Sequence, residues 1–263
     1  MSCEQLDIAN PFPLWHFFKS PQIYVLRVPM NILTIDTSTS LASVAISNHQ
    51  TLIAESVFLC DRSLSARLIP EIVRLLDIAG LTMEEIELFA GSVGPGSFTG
   101  VRAGLATLQG LGLATGKKCV GFSSLALLAT NFTFNSTLVC TMLDARKQEV
   151  YAALFDCTNN IPLPLIKDTV LPPAHFLHLL EPWGDVPVIF AGEGAVRYRD
   201  LISEKMGKRA IFAPAAHNAG RAGNGAALAL SAESTVPSQL LPVYLRASEA
   251  EYAKLNRQHP SVP

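Results

Sequence analysis

The sequence predicts an α/β protein built from two lobes, each of βββαβα type. Three observations lead there. Alternating and short apolar runs are interleaved with segments of helical period, the pattern of a sheet flanked by helices. The same order of three strands, helix, strand and helix recurs in residues 30–135 and 136–236. The 263 residues are 49% hydrophobic and only 16% charged, where about 25% charged is usual for a soluble domain, so the chain has ample material for a core and an additional buried surface.

Residues 1–29 hold Pro11, Pro13, Pro21 and Pro29 without strand or helix period, although Trp15, Phe17 and Phe18 are apolar. Glu4 and Asp7 stand where a secretory leader carries basic residues. The segment is expected to be a disordered arm or the product of an upstream start codon.

From Asn31 the pattern becomes that of strands. Ile32, Leu33 and Ile35, then Ala42, Val44 and Ile46, then Leu52, Ile53, Val57 and Phe58 after a turn at 48–50 give an antiparallel meander. A helix follows over 65–79, where Leu68, Ile69, Ile72, Val73, Leu75, Leu76 and Ala79 recur at helical spacing and Gly80 ends the run. Residues 87–93 read as a buried strand, Gly94-Pro95-Gly96 as a tight turn and 98–115 as a helix. A strand at 119–122 and a helix at 123–129 close the half, and the polar run 132–137 puts the boundary near Asn135. The second half offers strands at 138–143, 150–155 and 165–170, a helix at 173–180, a strand at 186–190, and helices near Val196 and Gly220; residues 237–263 form a tail.

Several function classes are excluded early. Twenty Lys and Arg against 22 Asp and Glu leave a net charge of −2, which offers no attractive field to a phosphate backbone and argues against a lone nucleic-acid binder. Five cysteines, Cys3, Cys60, Cys119, Cys140 and Cys157, are scattered and never in C-x-x-C spacing, unlike a disulfide framework or structural zinc site. The charge-free stretch 120–143 is interrupted by Ser123, Ser124, Asn131, Asn135 and Ser136, so no bilayer span is expected there. A cytoplasmic protein is expected.

Each half places a carboxylate at a strand end: Asp36, followed by Thr37, Ser38, Thr39 and Ser40, and Asp144, followed by Ala145 and Arg146. In actin-like ATPases two such turns face one another across a cleft. Small residues let backbone N–H groups approach phosphate while the carboxylate orients a hydrated cation. Either residue can equally cap a turn, and Asp144 can pair with Arg146 or Lys147; the pairing across the two halves is the stronger signal. Gly192-Glu193-Gly194 after a strand is a weaker sign of a nucleotide cleft.

Gly94-Pro95-Gly96-Ser97-Phe98-Thr99-Gly100-Val101-Arg102 opens a helix and offers free N–H groups. It is neither a dinucleotide fingerprint nor a P-loop, and Ser97 lacks the setting of a nucleophile elbow. Along the helix that follows, Ala103, Ala106, Thr107, Gly110 and Ala114 make a stripe of small residues beside Val101, Leu105 and Leu108, suited either to packing within the lobe or to a helical partner. His175 and His178 lie one turn apart without a further ligand at metal spacing.

At Ile32-Leu33-Thr34-Ile35-Asp36-Thr37-Ser38, the nine residues from Gly94, Asp144-Ala145-Arg146-Lys147-Gln148-Glu149-Val150-Tyr151 and Pro242-Val243-Tyr244-Leu245-Arg246, the chain resembles the TsaB (YeaZ) family, over residues 30 to about 246. That resemblance implies an actin-like fold and a part in making threonylcarbamoyladenosine beside the tRNA anticodon. It implies a non-catalytic scaffold that binds and activates TsaD, whose metal-binding histidines are replaced here by Val120-Gly121-Phe122-Ser123-Ser124-Leu125-Ala126-Leu127-Leu128. The metal and the threonylcarbamoyl-adenylate then belong to the partner, TsaE joins the larger complex, and tRNA is met only through it. The resemblance further implies docking through the helices at 65–79 and 101–115 as a four-helix bundle, with Leu68, Ile72, Leu76, Ala103, Thr107 and Gly110 as contacts, and a homodimer through the same helices when TsaD is absent.

No catalytic residue or metal ligand is expected. Asp36, Thr37, Ser38, Asp144, Gly192 and Gly194 are expected to line a degenerate nucleotide cleft, with ATP or ADP as an optional ligand. The arm and the run Ser63-Leu64-Ser65 depart from the family pattern. The alternatives are an ATP-dependent small-molecule kinase, a glycoprotease-like peptidase and a nucleotide-sensing module.

Overall fold

The computed structural model describes residues 30–48, 51–59 and 64–246. The arm at 1–29, the tail beyond 246, Cys3, Cys60 and Ser63 lie outside the described residues.

The first half contributes β1 (Asn31–Asp36), β2 (Leu41–Ser47), β3 (Leu52–Leu59), α1 (Leu64–Ala79), β4 (Ile86–Gly94), α2 (Phe98–Thr115), β5 (Lys118–Ser123) and α3 (Ser124–Ala129). The second contributes β6 (Leu138–Arg146), β7 (Glu149–Asp156), β8 (Leu163–Leu171), α4 (Pro173–His178), β9 (Val188–Ala191), α5 (Glu193–Arg197), α6 (Arg199–Met206), β10 (Ala210–Phe212) and α7 (Gly225–Ser231). The strands form two sheets of order β3-β2-β1-β4-β5 and β8-β7-β6-β9-β10. The two orders are identical in topology. In each sheet the hairpin-linked strands run antiparallel and the later ones, reached through helices, run parallel. This is the duplicated, two-lobed actin-like α/β fold.

Central strands covered on both faces read as continuous apolar runs, and β1 is buried from Ile32 to Asp36. One face of the first sheet packs Leu33, Ile35, Val44 and Ile46 against Leu68, Ile72 and Leu75 of α1 and Val101, Leu105 and Leu108 of α2. Its other face packs Ile32, Ala90, Val120 and Phe122 against Ala226, Leu228 and Ala229 of α7. The second sheet sets Met142, Ala152 and Leu154 against Phe176 of α4, Ala195 of α5 and Ile202 of α6. Opposite, Val139, Ala153, Phe155 and Ile189 meet Leu125, Leu128 and Ala129 of α3.

The lobes therefore exchange helices across the expected division at 135 and 236. α3 belongs by sequence to the first half and covers the second sheet, whereas α7 comes from the second half and covers the first. Each inner face needs an apolar cover, and the exchange supplies it while joining the lobes through buried surface. From Arg221 to Tyr244 the chain packs on the first lobe. Gly223 N and Ser43 Oγ donate to Glu55 Oε1 at 3.0 and 3.2 Å, Arg221 pairs with the same carboxylate, and Thr235 exchanges backbone hydrogen bonds with Cys119 at 2.8 and 2.9 Å.

Two further elements differ from the expected pattern. α6 and β10 extend the second lobe to βββαβααβα, and the helix expected near Gly220 is a 3-10 turn at Ala222–Asn224 followed by α7. The strand placed at 186–190 starts at Val188, after a turn closed at Gly184 (φ 54°). Cys119, Cys140 and Cys157 are buried free thiols. Among the described residues no helix is long and apolar enough to cross a membrane.

Candidate interaction surface and interlobe cleft

The two carboxylate turns do not face one another as equals. Asp36 is 1% exposed. Its Oδ1 accepts from Ser38 N at 3.0 Å and from the Ser92 hydroxyl of β4, and burial pushes its carboxyl above the usual range, opposed by those hydrogen bonds. Thr37 Oγ1 donates to Gly100 O at 2.8 Å, and Ser97 N donates to Ser38 O at 2.7 Å. The first turn is thus the seat of α2. Gly96, Gly100 and Gly104 are glycine for that reason, since a Cβ at each would lie 2.2, 2.1 and 2.4 Å from Ser38 O, Thr37 O and Thr37 Oγ1 respectively.

Asp144, by contrast, ends β6 in a charged surrounding. Its Oδ1 accepts from Arg146 N at 3.0 Å, and Oδ2 pairs with Arg197 at 2.7 Å. Arg146, Lys147 and Gln148 all take left-handed φ, 63°, 50° and 61°. The contact that bridges the turns runs through a residue the sequence reading passed over, Glu193, which accepts from Ser40 Oγ at 3.5 Å. Burial raises the Glu193 carboxyl, and the nearby Asp144 charge adds to the rise. Gly192 and Gly194 are accounted for by strand proximity, because a Cβ at either would meet the Met142 carbonyl group within 3 Å.

These residues do not fit a nucleotide held through a cation. Asp36 has no face toward solvent on which to orient a hydrated ion, Ser38 N is engaged by Asp36, Asp144 is paired with arginine, and the two glycines serve packing. Asp36, Thr37, Ser38, Asp144, Gly192 and Gly194, expected to line a degenerate nucleotide cleft, each have a structural contact within the fold. Among the described residues no cluster of three or more His, Cys, Asp or Glu is placed to hold a metal. Where a histidine pair was sought, Ser123 caps α3, accepting from Leu125 N and Ala126 N at 3.1 and 3.2 Å and donating to Asp168 of β8 at 2.5 Å, while Ser124 donates to Pro95 O. Burial raises Asp168.

The motifs quoted from distant parts of the sequence meet at one place. Val243 N donates to Val93 O at 2.8 Å, and Arg102 Nε donates to Tyr244 Oη at 2.6 Å. The guanidinium lies 3.7 Å from the centre of the Phe98 ring, which stacks on Tyr244 at 5.1 Å. Arg246 reaches the other lobe, pairing with Glu149 at 2.8 Å. Gly94, Pro95, Phe98, Tyr151 and Tyr244 line a narrow hollow at this meeting point.

The outward faces of α1 and α2 are the other unusual feature. Ile69 and Val73 of α1 are 45% and 57% exposed, and Leu113 of α2 is 66% exposed. Between them α2 presents Ala103, Ala106, Thr107 and Gly110, all at least partly accessible. Helical spacing puts Ile69 and Val73 on one stripe and Ala103, Thr107, Gly110 and Ala114 on another. A Cβ at Gly110 would meet nothing within 4 Å. Three expected contacts need correction: Leu68, Ile72 and Leu76 are 0%, 0% and 7% exposed and belong to the lobe's own core. A helix with apolar residues on both sides gives no sign in its sequence of which stripe faces the sheet; the charges of Arg67, Glu71 and Arg74 flank the exposed stripe and are the weak signal available.

A family model described as TsaD, tRNA N6-adenosine threonylcarbamoyltransferase, matches residues 58–255. The chain is 30% identical to the tRNA threonylcarbamoyladenosine biosynthesis protein TsaB of Bacillus subtilis over 222 residues, 84% of this chain and 96% of that one. It belongs to the TsaB family. Escherichia coli TsaB is 38% identical over 133 residues, covering 50% of this chain and 57% of its own length. Among solved structures, YeaZ from Pseudomonas aeruginosa superposes with a TM-score of 0.71 at 29% identity, over 82% of this chain and all of that one. The TsaB family thus carries the duplicated lobes, and its name places this chain in tRNA threonylcarbamoyladenosine biosynthesis.

Proposed function

We propose that this TsaB-family chain is a non-catalytic subunit that binds TsaD through the outward faces of α1 and α2 and activates it for threonylcarbamoyl transfer to tRNA. The observation that carries the reading is the surface itself: Ile69, Val73 and Leu113 stand exposed beside a stripe of Ala and Gly on two long, adjacent helices. Exposed large apolar residues grouped with small ones suit close helix–helix packing, and scattered surface hydrophobics do not show that order. The interlobe cleft supports the same reading from the other side, because its carboxylates and glycines are engaged within the fold. ATP or ADP is then not needed by this chain, and the metal and threonylcarbamoyl-adenylate are bound by TsaD. TsaE joins the assembly, and tRNA is held by the complex. In the absence of TsaD the same faces pair two copies of this chain.

The test is threonylcarbamoylation of tRNA in a reconstituted mixture of TsaD, TsaE and donor, with and without this chain. Modification is expected only when this chain and TsaD are both present. Gly110→Leu sharpens the test. The side chain enters open space in the isolated protein, so folding is retained. Against a partner helix its overpacking costs about 1 to 3 kcal/mol, roughly five- to 150-fold in affinity. Undiminished TsaD binding by that variant removes this face from the interface. ATP turnover or peptide cleavage by the purified chain, lost in Asp36→Ala, establishes the kinase or peptidase reading instead.

A further inference from the structure

The strap at 240–246 packs on Phe98, Arg102 and Gln109 of α2, residues that the partner-binding reading does not use. We propose that this segment positions the first turn of α2, and so the partner-binding face, by tying it to the second lobe. The inference rests on the reading that α1 and α2 form that face.

Within seven residues the strap touches both lobes. On the first, Gln109 of α2 donates to Leu240 O at 2.9 Å, Val243 continues from β4 through Val93 O, and Tyr244 receives Arg102. On the second, Arg246 pairs with Glu149 and donates to Ala145 O at 3.4 Å, gripping the turn end of the β6–β7 hairpin. Gly94 is fitted to this route: its φ is 105°, and a Cβ there would lie 3.0 Å from Val243 O. Three sequence motifs from 94–102, 144–151 and 242–246 thereby form one mechanical unit.

The chemistry of the contacts indicates orientation rather than burial. Phe98 and Tyr244 are 37% and 40% exposed, so their stack removes little apolar surface from water. What it supplies is geometry: a guanidinium 3.7 Å over the Phe98 ring, 5.5 Å from the Tyr244 ring and hydrogen-bonded at its Nε to the phenol oxygen holds one rotamer of Arg102 and one approach of the strap. The Arg246–Glu149 pair is 15% and 32% exposed and fixes the far end. A displacement of the second lobe therefore reaches Phe98 and Arg102 through one intervening strap residue, Leu245, and the side-chain contacts of Arg246 and Tyr244.

The experiment uses the full chain with Arg246→Glu, Glu149→Arg, the double exchange, and Tyr244→Phe. Amide hydrogen exchange and TsaD affinity are read together. Arg246→Glu is expected to speed exchange of the amides at 98–102, which Arg246 does not touch, and to weaken TsaD binding by about tenfold, within the usual range for coupled sites. The double exchange, which re-forms the ion pair but not the bond to Ala145 O, restores most of both. Tyr244→Phe, which keeps the ring and loses one hydrogen bond, reproduces a smaller part of the effect. Unchanged exchange at 98–102, or a rise spread evenly over the whole chain, overturns the proposal. Val73→Glu separates the two ideas: if that variant keeps TsaD binding, the face is misassigned, while the exchange result still judges the strap.

Discussion

The two lobes share strand order, hairpin and crossover, yet the helices that cover their outer faces differ in kind. The first sheet is covered by α1 and α2, of 16 and 18 residues. The second is covered by α4, α5 and α6, of six, five and eight residues. Both sets bury a core, so core formation does not require the longer pair. The extra turns of α1 and α2 carry exposed Ile69, Val73 and Leu113, whereas the outer residues of α4 and α6 include His175, His178, Glu204 and Lys205. The same topology thus presents an exposed apolar face, the proposed partner surface, in one lobe and a more charged surface in the other.

The turns diverge in parallel. At the end of β1 the carboxylate is swallowed by the fold to seat α2; at the end of β6 it stays near solvent among arginines. Duplication fixes the backbone route, and the side chains decide whether a turn becomes a helix seat or a charged rim.

The largest expected effect separates the two stripes of α1. Ile72 is fully buried, so Ile72→Ala should cost about 2 to 5 kcal/mol of stability from lost burial and the remaining cavity. Its neighbour Val73 is 57% exposed, so Val73→Glu should leave stability within about 0.5 kcal/mol while abolishing TsaD binding. Urea unfolding and a binding assay on both variants check the pair. A stable Ile72→Ala that fails to bind, or a destabilised Val73→Glu, reverses the assignment of faces.

An intermediate effect contrasts the two carboxylates. Burial raises the pKa of Asp36 in the folded chain above the ordinary aspartate value of 3.8. A raised folded pKa means the native state holds its proton longer than the unfolded chain. Its contribution to stability is therefore full below about pH 3.8 and is lost as pH rises through the raised value. Asp36→Asn removes this titration and keeps an acceptor for Ser92 and Ser38. Thermal unfolding between pH 3.5 and 7 should show a smaller decline in Asp36→Asn than in the parent. Equal pH dependence in the two proteins contradicts a buried, proton-retaining Asp36.

Much of this was legible in the sequence because it is periodic. The meander, α1, α2 and the strand–turn–helix at 86–115 follow from apolar spacing and the glycine turn, and the repeat of the order predicts the second sheet. The exchange of α3 and α7 between lobes was not legible, because a short apolar helix such as Ser124–Ala129 carries no mark of which sheet it covers. β10 is three residues long, too short for a period. At the candidate site, Asp36 looked like a cation ligand since a turn carboxylate followed by small residues reads the same whether it faces phosphate or a helix seat. The partner of that choice, Ser92, lies 56 positions away. Glu193 was passed over between two glycines, and the strap emerged only when three motifs proved to be neighbours.

The smallest expected effect probes the turn that duplication left charged. Arg146, Lys147 and Gln148 occupy left-handed backbone in succession, a conformation that costs an ordinary L-residue about 1 to 2 kcal/mol and glycine almost nothing. The turn after Asp36 has no such residue at 37–40. Gln148 is exposed and its φ is 61°, so Gln148→Gly should stabilise the chain by about 0.5 to 1 kcal/mol once glycine's greater freedom in the unfolded state is subtracted. Ser40→Gly, at the corresponding turn of the first lobe, gains nothing from that source and loses the Glu193 contact. A rise in denaturation midpoint for the first variant and a fall for the second is the expected result. If both fall, the second turn is held by side-chain contacts of Gln148 that outweigh its backbone cost, and the contrast between the two turns is one of packing rather than conformation.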